Sequence, residues 1–383
     1  MRILFKTDYD QDIRLFKHSG YWWSYGALLL VAVLAPLALG SYLQSQLVFV
    51  FIYAIVGVGL MILTGFTGQA SLGHAAFLAI GAYTAAYLQK LGVPFVVYMP
   101  LAALVAGGVG ALVGFPALRL TGIYLVIATI AFGFIVEEVA ARWESVTNGN
   151  EGMRVKAVDL LGWTLARDGY GFYYLSLAVL ILVLLAALNI LRSPTGRAFV
   201  AIRDSETAAK SMGVNLAVYK VMAFSISAGI TGLAGCLYAH KLSFISPEMF
   251  TLLLSLEFII VIIIGGVLGL HGAVLGAIFI VMVDPFLTFL KDDLPRSFAG
   301  LAGSLGFSES SARALQDTME RIGGAPGLKS AIYGVIIILF IIYEPYGLYG
   351  RWLKLKLYFD RFPVYKKATF KRQKTYVKSE RNR

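Results

Sequence analysis

Repeated apolar stretches constrain this chain more than any other feature. Its 383 residues are 58% hydrophobic and 14% charged, whereas soluble domains carry about 25% charged residues. A helix needs about 20 apolar residues to cross the hydrocarbon core of a bilayer. We therefore predict an all-α, polytopic membrane protein of about ten transmembrane helices, at residues 22–43, 46–64, 74–90, 95–118, 122–141, 172–191, 219–240, 253–270, 272–290 and 328–343.

Positive charge is concentrated at the end of the chain. Residues 351–383 hold twelve Lys/Arg and two Asp/Glu, which supply +10 of the net charge of +11. Basic segments beside membrane helices favour the cytosolic side, where anionic lipid headgroups attract them. We predict a cytosolic N-terminal segment at 1–21, a transmembrane domain at 22–350 and a basic cytosolic tail at 351–383. The tail is interpreted as binding membrane lipid and not nucleic acid.

Three polar segments interrupt the apolar pattern. Residues 142–171 balance positive and negative side chains, whereas 192–220 are net positive. Helix alternation places 142–171 and 291–327 outside and 192–220 in the cytosol, and this agrees with the positive-inside rule. Segment 291–327 also carries apolar residues at helical spacing, which predicts an amphipathic helix on the outer surface.

Residues 193–220 form a charged segment that cannot span a membrane. A charge at the centre of a bilayer costs at least roughly 2.5 kcal/mol. Asp204 or Ser205 is a suitable N-cap for a short helix with Glu206 in its first turn. Gly213 follows about two turns later, where a left-handed residue commonly ends a helix. We predict a short helix outside the membrane that is available to bind another protein.

Residues 65–74, GFTGQASLGH, separate the second and third apolar stretches and are unusually polar. One interpretation is a broken helix that lines a translocation path, because irregular backbone at membrane depth needs protein or water to satisfy its amides. The other is a tight cytosolic turn capped by Thr67 and Ser71. In the first interpretation the side chains on the path are Thr67, Gln69, Ser71 and His74. A second glycine-rich break, 265–272, lies in the other half of the chain. Paired interruptions are a pointer to a transporter core, but these two breaks do not superpose when the ten spans are divided into two groups of five.

Nothing in the sequence predicts catalysis on this chain. It has no phosphate-binding loop of the GxxxxGK[ST] type and no HExxH motif. One cysteine, Cys236, excludes an internal disulfide, and four histidines without nearby carboxylates favour no metal site. Glu137, Glu138 and Glu257 lie near the ends of apolar stretches, so we predict that none is a buried proton relay.

Three separated motifs closely resemble one family. They are GQASLGHAAFLAIGAYT at 68–84, GRAFVAIRDSETAAKSMG at 196–213 and YEPYGLYG at 343–350. In this order they resemble the LivM-like permeases, the membrane subunits of branched-chain amino-acid ABC importers in the bacterial plasma membrane. The resemblance covers about residues 45–350.

The resemblance implies a complex with three kinds of partner protein. A second related permease, two cytosolic ATPase subunits that hold ATP and Mg, and an external substrate-binding protein would join this chain. The implied contacts with the ATPase are Arg197, Arg203, Asp204, Glu206, Lys210 and Gly213. The implied docking loop for the binding protein consists of Thr147, Asn148, Gly149, Asn150 and Gly152; its sequence departs from the glycine pattern expected of the family.

Two other functions remain open from the sequence. Permeases for urea and short-chain amides share parts of these motifs. An ion-coupled secondary transporter or channel would need no ATPase, and its mark would be an unpaired acid in the middle of a span, which the sequence does not predict. A membrane scaffold gives no reason for the polar break at 65–74.

Overall fold

A computed structural model describes residues 19–160, 162–267, 269–289, 328–344 and 346–361. Three predicted regions lie wholly or largely outside these residues. They are the N-terminal segment 1–21, the proposed amphipathic helix within 291–327, and the basic tail beyond residue 361.

The fold is built from helices joined by short connections. Among the described residues, ten helices lie before residue 266: α1 Ser19–Ala38, α2 Ser41–Leu60, α3 His74–Lys90, α4 Phe95–Ala117, α5 Ile123–Arg142, α6 Tyr170–Arg192, α7 Pro194–Asp204, α8 Glu206–Ser211, α9 Leu216–Leu242 and α10 Leu252–Gly265. The described helices after it are α11 Leu270–Thr288, α12 Leu328–Tyr343 and α13 Gly347–Arg361. The end of α2 continues as a π-helix over Met61–Phe66, and single turns lie at Glu144–Thr147, Gly149–Glu151 and Pro247–Met249.

The described helices confirm a polytopic, all-α membrane protein. Seven helical segments within the described ranges are long and apolar enough to cross a membrane. Three other predicted spans are shorter helices: the apolar part of α1, Tyr25–Ala38, the 17-residue α3 and the 16-residue α12. At 1.5 Å per residue α3 is about 25 Å long, slightly less than the hydrocarbon core.

Helix α9 lies at the centre of the bundle and packs against α2, α3 and α4. Its glycines allow this close approach. Gly232 faces Gly81 of α3, and Gly235 faces the backbone of Leu78, so that a methyl group at Gly81 or Gly235 would collide with the neighbouring helix. Small residues at such positions let membrane helices pack backbone to backbone.

The two ends of the bundle carry different connections. We call the end with residues 193–215 the charged-loop end and the opposite end, with residues 143–169, the hairpin end. At the hairpin end β1 (Met153–Arg154) pairs antiparallel with β4 (Phe244–Ile245), and β2 (Val158–Leu160) pairs with β3 (Trp163–Leu165). Strand pairing therefore joins the connections that follow α5 and α9.

An ion pair between buried Lys241 and exposed Asp168 joins three elements at the hairpin end. The Lys241 ammonium lies 2.7 Å from Asp168 Oδ1 and donates to the Arg167 carbonyl oxygen at 3.3 Å. Ser45 of α2 donates to the same carboxylate at 3.4 Å. The hydrogen bond from Lys241 holds the pKa of Asp168 below its usual range. This pair ties the ends of α2, α6 and α9 together.

Helices α10 and α11 are separate and antiparallel. Gly265 packs against Gly272, and Gly276 packs against Val261, so residue numbers rise on one helix as they fall on the other. The chain reverses at 266–269, where Gly266 has a φ of +102° that favours glycine. The break at 265–272 is thus a turn between two helices, not a kink within one.

Candidate functional site at the charged loop and the helix break

The charged loop folds into two short helices, α7 and α8. Ser205 is the N-cap of α8, because its side-chain oxygen accepts a hydrogen bond from the Ala208 amide at 3.2 Å. Gly213 follows α8 with a φ of +86°. The predicted short capped helix is confirmed at both ends. Helix α7 was not predicted, although Pro194 at its first position is a recognised start signal.

All six predicted coupling residues lie on this loop and reach its surface. Glu206 is partly buried, because its carboxylate lies 2.7 Å from the ammonium of buried Lys220 on α9. The other five, Arg197, Arg203, Asp204, Lys210 and Gly213, are exposed. Met212 stands at the end of α8 with 85% of its surface exposed. The loop therefore combines a charged surface with one apolar tip, and Glu206 fixes it to the bundle.

The break at 65–74 runs from the charged-loop end into the middle of the bundle. Gly65 lies beside the 266–269 turn, close to the Val267 carbonyl. At the other end of the break, His74 Nε2 lies 2.8 Å from Ser227 Oγ of α9. Ser227 is eleven positions, about 16 Å, from the start of α9. Irregular backbone therefore reaches membrane depth, as the broken-helix interpretation requires.

Side chains from other helices satisfy the backbone of the break. Thr129 Oγ1 on α5 accepts from the Leu72 amide at 3.0 Å, and Ser255 Oγ on α10 accepts from the Ala75 amide at 3.0 Å. The imidazole of His74 is fully buried between Ser71 Oγ at 3.2 Å and Ser227 Oγ. Unpaired amides at this depth would each cost several kcal/mol, on the order of 2–7. These hydrogen bonds stabilise the irregular segment.

Gln69 differs from the other three polar residues of the break. Thr67 donates to the Ile62 carbonyl at 2.8 Å, and Ser71 and His74 bond to each other. Gln69 is only 5% exposed, yet neither its side-chain nitrogen nor its side-chain oxygen has a hydrogen-bond partner among the described residues. Three of the predicted path residues therefore stabilise the break, and one offers an unused donor and acceptor.

The charged loop contacts the break directly. The Arg203 guanidinium donates to the Gly65 carbonyl oxygen at 3.2 Å and also pairs with Asp204 at 3.0 Å. Gly68, with a φ of +73°, lies against Arg203; a methyl group at Gly68 would come within 3.1 Å of Arg203 Cγ. Gly65 belongs to the π-helix, a rare form frequent at functional sites. Arg203 thus joins two segments that are 138 residues apart.

The predicted docking loop at 147–152 is mostly turned inward. Thr147 donates to the Ala140 carbonyl at 2.7 Å, and Gly152, with a φ of +71°, packs against β4. Asn148 and Asn150 are exposed. Beside the loop is a cleft of about 850 Å³ that Asn150 lines together with Glu137, Glu138 and Glu248.

Trp163 was missed by sequence reasoning. It lies in the β2–β3 hairpin and is 80% exposed. Its position in a polar loop between apolar stretches could have indicated an exposed contact residue, because tryptophan is enriched both at membrane interfaces and at protein-binding surfaces.

The histidines within the described ranges fill packing and hydrogen-bonding positions. His240 lies 2.8 Å from the Tyr98 hydroxyl, and His271 stacks on Tyr349 with ring centroids 5.4 Å apart. Tyr349 belongs to the YEPYGLYG motif, which therefore packs on the 266–269 turn. The described part of the chain contains no group of three or more His, Cys, Asp or Glu residues that could hold a metal.

The depth of Glu257 corrects the sequence prediction. Its Oε2 accepts from the Tyr53 hydroxyl at 2.9 Å. Tyr53 lies twelve positions after Ser41 in a span of 26 residues, Ser41–Phe66. Glu257 is close to the start of its apolar stretch, but α10 begins inside the bundle, so this position lies far from the membrane surface. Phe250, just before it, packs on Tyr238, which in turn packs on Phe49 of α2.

Comparison with known proteins agrees with the architecture. The family model described as "Branched-chain amino acid transport system / permease component" matches residues 42–341. The high-affinity branched-chain amino acid transport system permease protein LivM of Salmonella typhimurium is 35% identical over 280 residues, which cover 67% of this chain and 66% of the relative. LivM of Escherichia coli K12 gives the same identity and coverage.

A second kind of relative matches a shorter region. The autoinducer 2 import system permease protein LsrC of Salmonella typhi is 34% identical over 118 residues, 29% of this chain and 34% of the relative. No solved structure matches. The matched region spans just under two-thirds of the length of the LivM proteins. Since the family model covers well over half of the sequence, the chain belongs to the family of permease components of branched-chain amino acid transport systems.

Proposed function

We propose that this chain is the membrane permease subunit of an ATP-driven importer of branched-chain amino acids. The observation that carries the proposal is the contact between the charged loop and the helix break, through Arg203 and Gly65. An exposed segment outside the membrane thereby reaches an irregular segment that extends to mid-depth. A partner protein that stays outside the membrane needs such a contact in order to open or close a path within the membrane.

The mechanism is alternating access driven by two cytosolic ATPase subunits. These subunits hold ATP and Mg and bind the exposed surface of α7 and α8, with Met212 inserted as an apolar anchor. Their closure moves α7, and Arg203 transmits this movement to the π-helix and to Gly68. Ligand-driven switching of this kind requires a contact whose free energy differs between the two states. The Arg203–Gly65 hydrogen bond is our candidate for that contact.

The other partners occupy the remaining surfaces. A second related permease completes the path in the membrane, and an external substrate-binding protein docks at the hairpin end. Asn148, Asn150 and Trp163 are the exposed side chains that support this docking site. Ten spans with both termini in the cytosol would place the charged loop inside and the hairpin end outside.

Similarity to LivM over 280 residues favours branched-chain amino acids as the substrate. The shorter similarity to LsrC supports a second candidate, an autoinducer 2 permease. Family membership disfavours an ion-coupled secondary transporter, even though Glu257 lies at mid-depth. Uptake of radiolabelled leucine into proteoliposomes that contain the complete complex, external binding protein and internal ATP tests the substrate. Uptake of autoinducer 2 without leucine would refute our assignment.

Met212→Glu tests the docking site on the charged loop. Met212 makes no buried contact that its replacement would remove, so the bundle should fold normally while an apolar anchor is lost. We expect the ATPase subunits to fail to copurify with this variant. Leu91→Glu, at a residue 61% exposed at the hairpin end, is the matched control and should retain them. Copurification with Met212→Glu would remove α8 from the proposed interface.

Single cysteines at Ser211 and Asp159 test the orientation. Buried Cys236 is first replaced, so that each labelled site is unique. We expect impermeant maleimide to label Asp159→Cys from outside intact cells and Ser211→Cys only after permeabilisation. Labelling of both sites from the same side would refute the proposed topology.

A further inference from the structure

The carboxylate of Glu257 has an unusual position within the membrane. Tyr53, whose hydroxyl donates to it, lies about 18 Å from either end of the Ser41–Phe66 span. The Tyr53 ring also packs edge-on against Phe258, at 5.1 Å between centroids. Tyr53 therefore holds the carboxylate in one place at the middle of the bundle.

This carboxylate has no cationic partner among the residues that the structure describes. The ion pairs of those residues involve other acids, such as Asp168 and Glu206, and the group that bonds to Glu257 is the neutral Tyr53 hydroxyl. A charged side chain at the bilayer centre costs at least roughly 2.5 kcal/mol and is normally paired or exposed to a water-filled cavity. Within the described part of the chain, no positive charge offsets this cost for Glu257.

One side of Glu257 is open. The residue is only partly buried, and its helix neighbours Leu253 and Leu256 are exposed. Acyl chains cannot solvate a carboxylate, so the open side of Glu257 must face water or another protein. In the proposed complex, this side of α10 faces the path that the second permease completes.

We propose that Glu257, positioned by Tyr53, binds the ammonium group of the transported amino acid halfway along the path. This inference rests on the proposed function. The α-ammonium supplies the missing positive charge and donates to the carboxylate, which forms a strong, charge-assisted hydrogen bond. The exposed leucines beside Glu257 on α10, Leu253 and Leu256, suit a branched aliphatic side chain. A substrate without an ammonium group would not bind here.

Leucine uptake by the complete complex in proteoliposomes tests the site. In Glu257→Gln the shape is kept and the charge is lost, so we expect uptake to fall at least about tenfold, as loss of one charge-assisted hydrogen bond predicts. ATP hydrolysis stimulated by the binding protein and assembly of the complex should be unchanged. Asp284→Asn, which removes another acid within a membrane helix, is the matched control and should preserve uptake.

Direct binding gives a readout independent of transport. Wild-type complex in detergent, without the binding protein, should bind leucine and not isocaproate, which has the same carbon skeleton and carboxylate but no amino group. Glu257→Gln should lose this discrimination. Equal binding of both compounds by the wild type, or normal leucine uptake by Glu257→Gln, would overturn the proposal.

Further variants keep the proposal testable if Glu257→Gln does not assemble. Glu257→Asp keeps the charge but shortens the side chain, and Tyr53→Phe removes only the positioning hydroxyl. Both should lower leucine uptake in an assembled complex, and full uptake in both would overturn the proposal. A wild-type complex that does not import leucine would instead refute the proposed function.

Discussion

Removal of the Arg203 guanidinium is the sharpest test of how the charged loop acts on the helix break. Arg203→Ala deletes the hydrogen bond to the Gly65 carbonyl and the ion pair with Asp204, and it leaves α7 otherwise intact. We expect ATP hydrolysis to continue while transport per ATP falls. The physical reason is that α7 would still move with the ATPase but would no longer pull directly on the π-helix.

The size of the effect follows from the geometry. A hydrogen bond with a charged donor contributes about 1.5–3 kcal/mol. The Arg203 side chain is 38% exposed, so solvent screening reduces this value. We take about 1 kcal/mol, which corresponds to about a fivefold change in the equilibrium between two states. The ratio of leucine imported to ATP hydrolysed should therefore fall about fivefold.

The assay measures leucine uptake and phosphate release in the same proteoliposomes. Arg119→Ala is the matched control, because Arg119 is also an exposed arginine, in the turn between α4 and α5. Arg203→Lys is a second comparison; it keeps the charge but cannot contact Gly65 and Asp204 in the same planar geometry. We expect Arg119→Ala to behave as the wild type and Arg203→Lys to be partly uncoupled.

An unchanged ratio in Arg203→Ala, with both activities normal, would show that this contact does not transmit movement. Equal loss of uptake and ATP hydrolysis would also refute the argument, because it would assign Arg203 to ATPase binding alone.

Three further outcomes follow from the structure. Gly68 and Gly92 both have a left-handed φ, +73° and +79°, so the strain of an alanine costs about 1 kcal/mol at either position. The added methyl group would come within 3.1 Å of Arg203 Cγ at Gly68 but would meet no atom within 4 Å at Gly92. Thermal unfolding should therefore show Gly68→Ala to be less stable than Gly92→Ala, and equal melting temperatures would contradict the contact with Arg203. Ser227→Ala removes one of the two hydrogen-bond partners of the buried His74 imidazole. In denaturant unfolding, this variant should be less stable than the wild type by about 1–3 kcal/mol. Unchanged stability would mean that water replaces the Ser227 hydroxyl. Asp168 stabilises the folded state fully at neutral pH, because its pKa lies below the ordinary 3.8, and loses this effect as the pH falls through the lowered value. Asp168→Asn should melt earlier than the wild type at neutral pH, because Lys241 stays buried without its charged partner, and the difference should shrink in acid; a pH-independent difference would exclude the ion pair as its cause.

Much of the candidate site could be predicted from local sequence signals. The charge of residues 193–220 excludes them from the membrane, and Ser205 and Gly213 are cap residues whose effect depends only on the neighbouring backbone. The break could also be predicted, because the polarity of Thr67, Ser71 and His74 is a property of that segment alone. These features needed no knowledge of which helices are neighbours.

The depth of a residue in the membrane and its contacts with distant segments could not be predicted from local sequence signals. The position of Glu257 depends on where α10 begins relative to α2, and this follows from the packing of Phe250 and Tyr238. The contact between Arg203 and Gly65 joins segments that are far apart in the sequence, and neither segment alone predicts that it contacts the other. The unpaired amide of Gln69 likewise becomes visible only when every neighbouring donor and acceptor is placed.

The sequence by itself determined that this chain is an all-α membrane protein with a charged loop outside the bilayer, because hydrophobic length and charge are properties of single segments. Tertiary structure alone decided that the loop touches the break, that the break reaches mid-depth, and that Glu257 lies in the middle of the bundle. Those facts depend on close helix packing, such as that of Gly81 on Gly232. This packing determines how far each helix is shifted along its axis relative to its neighbours.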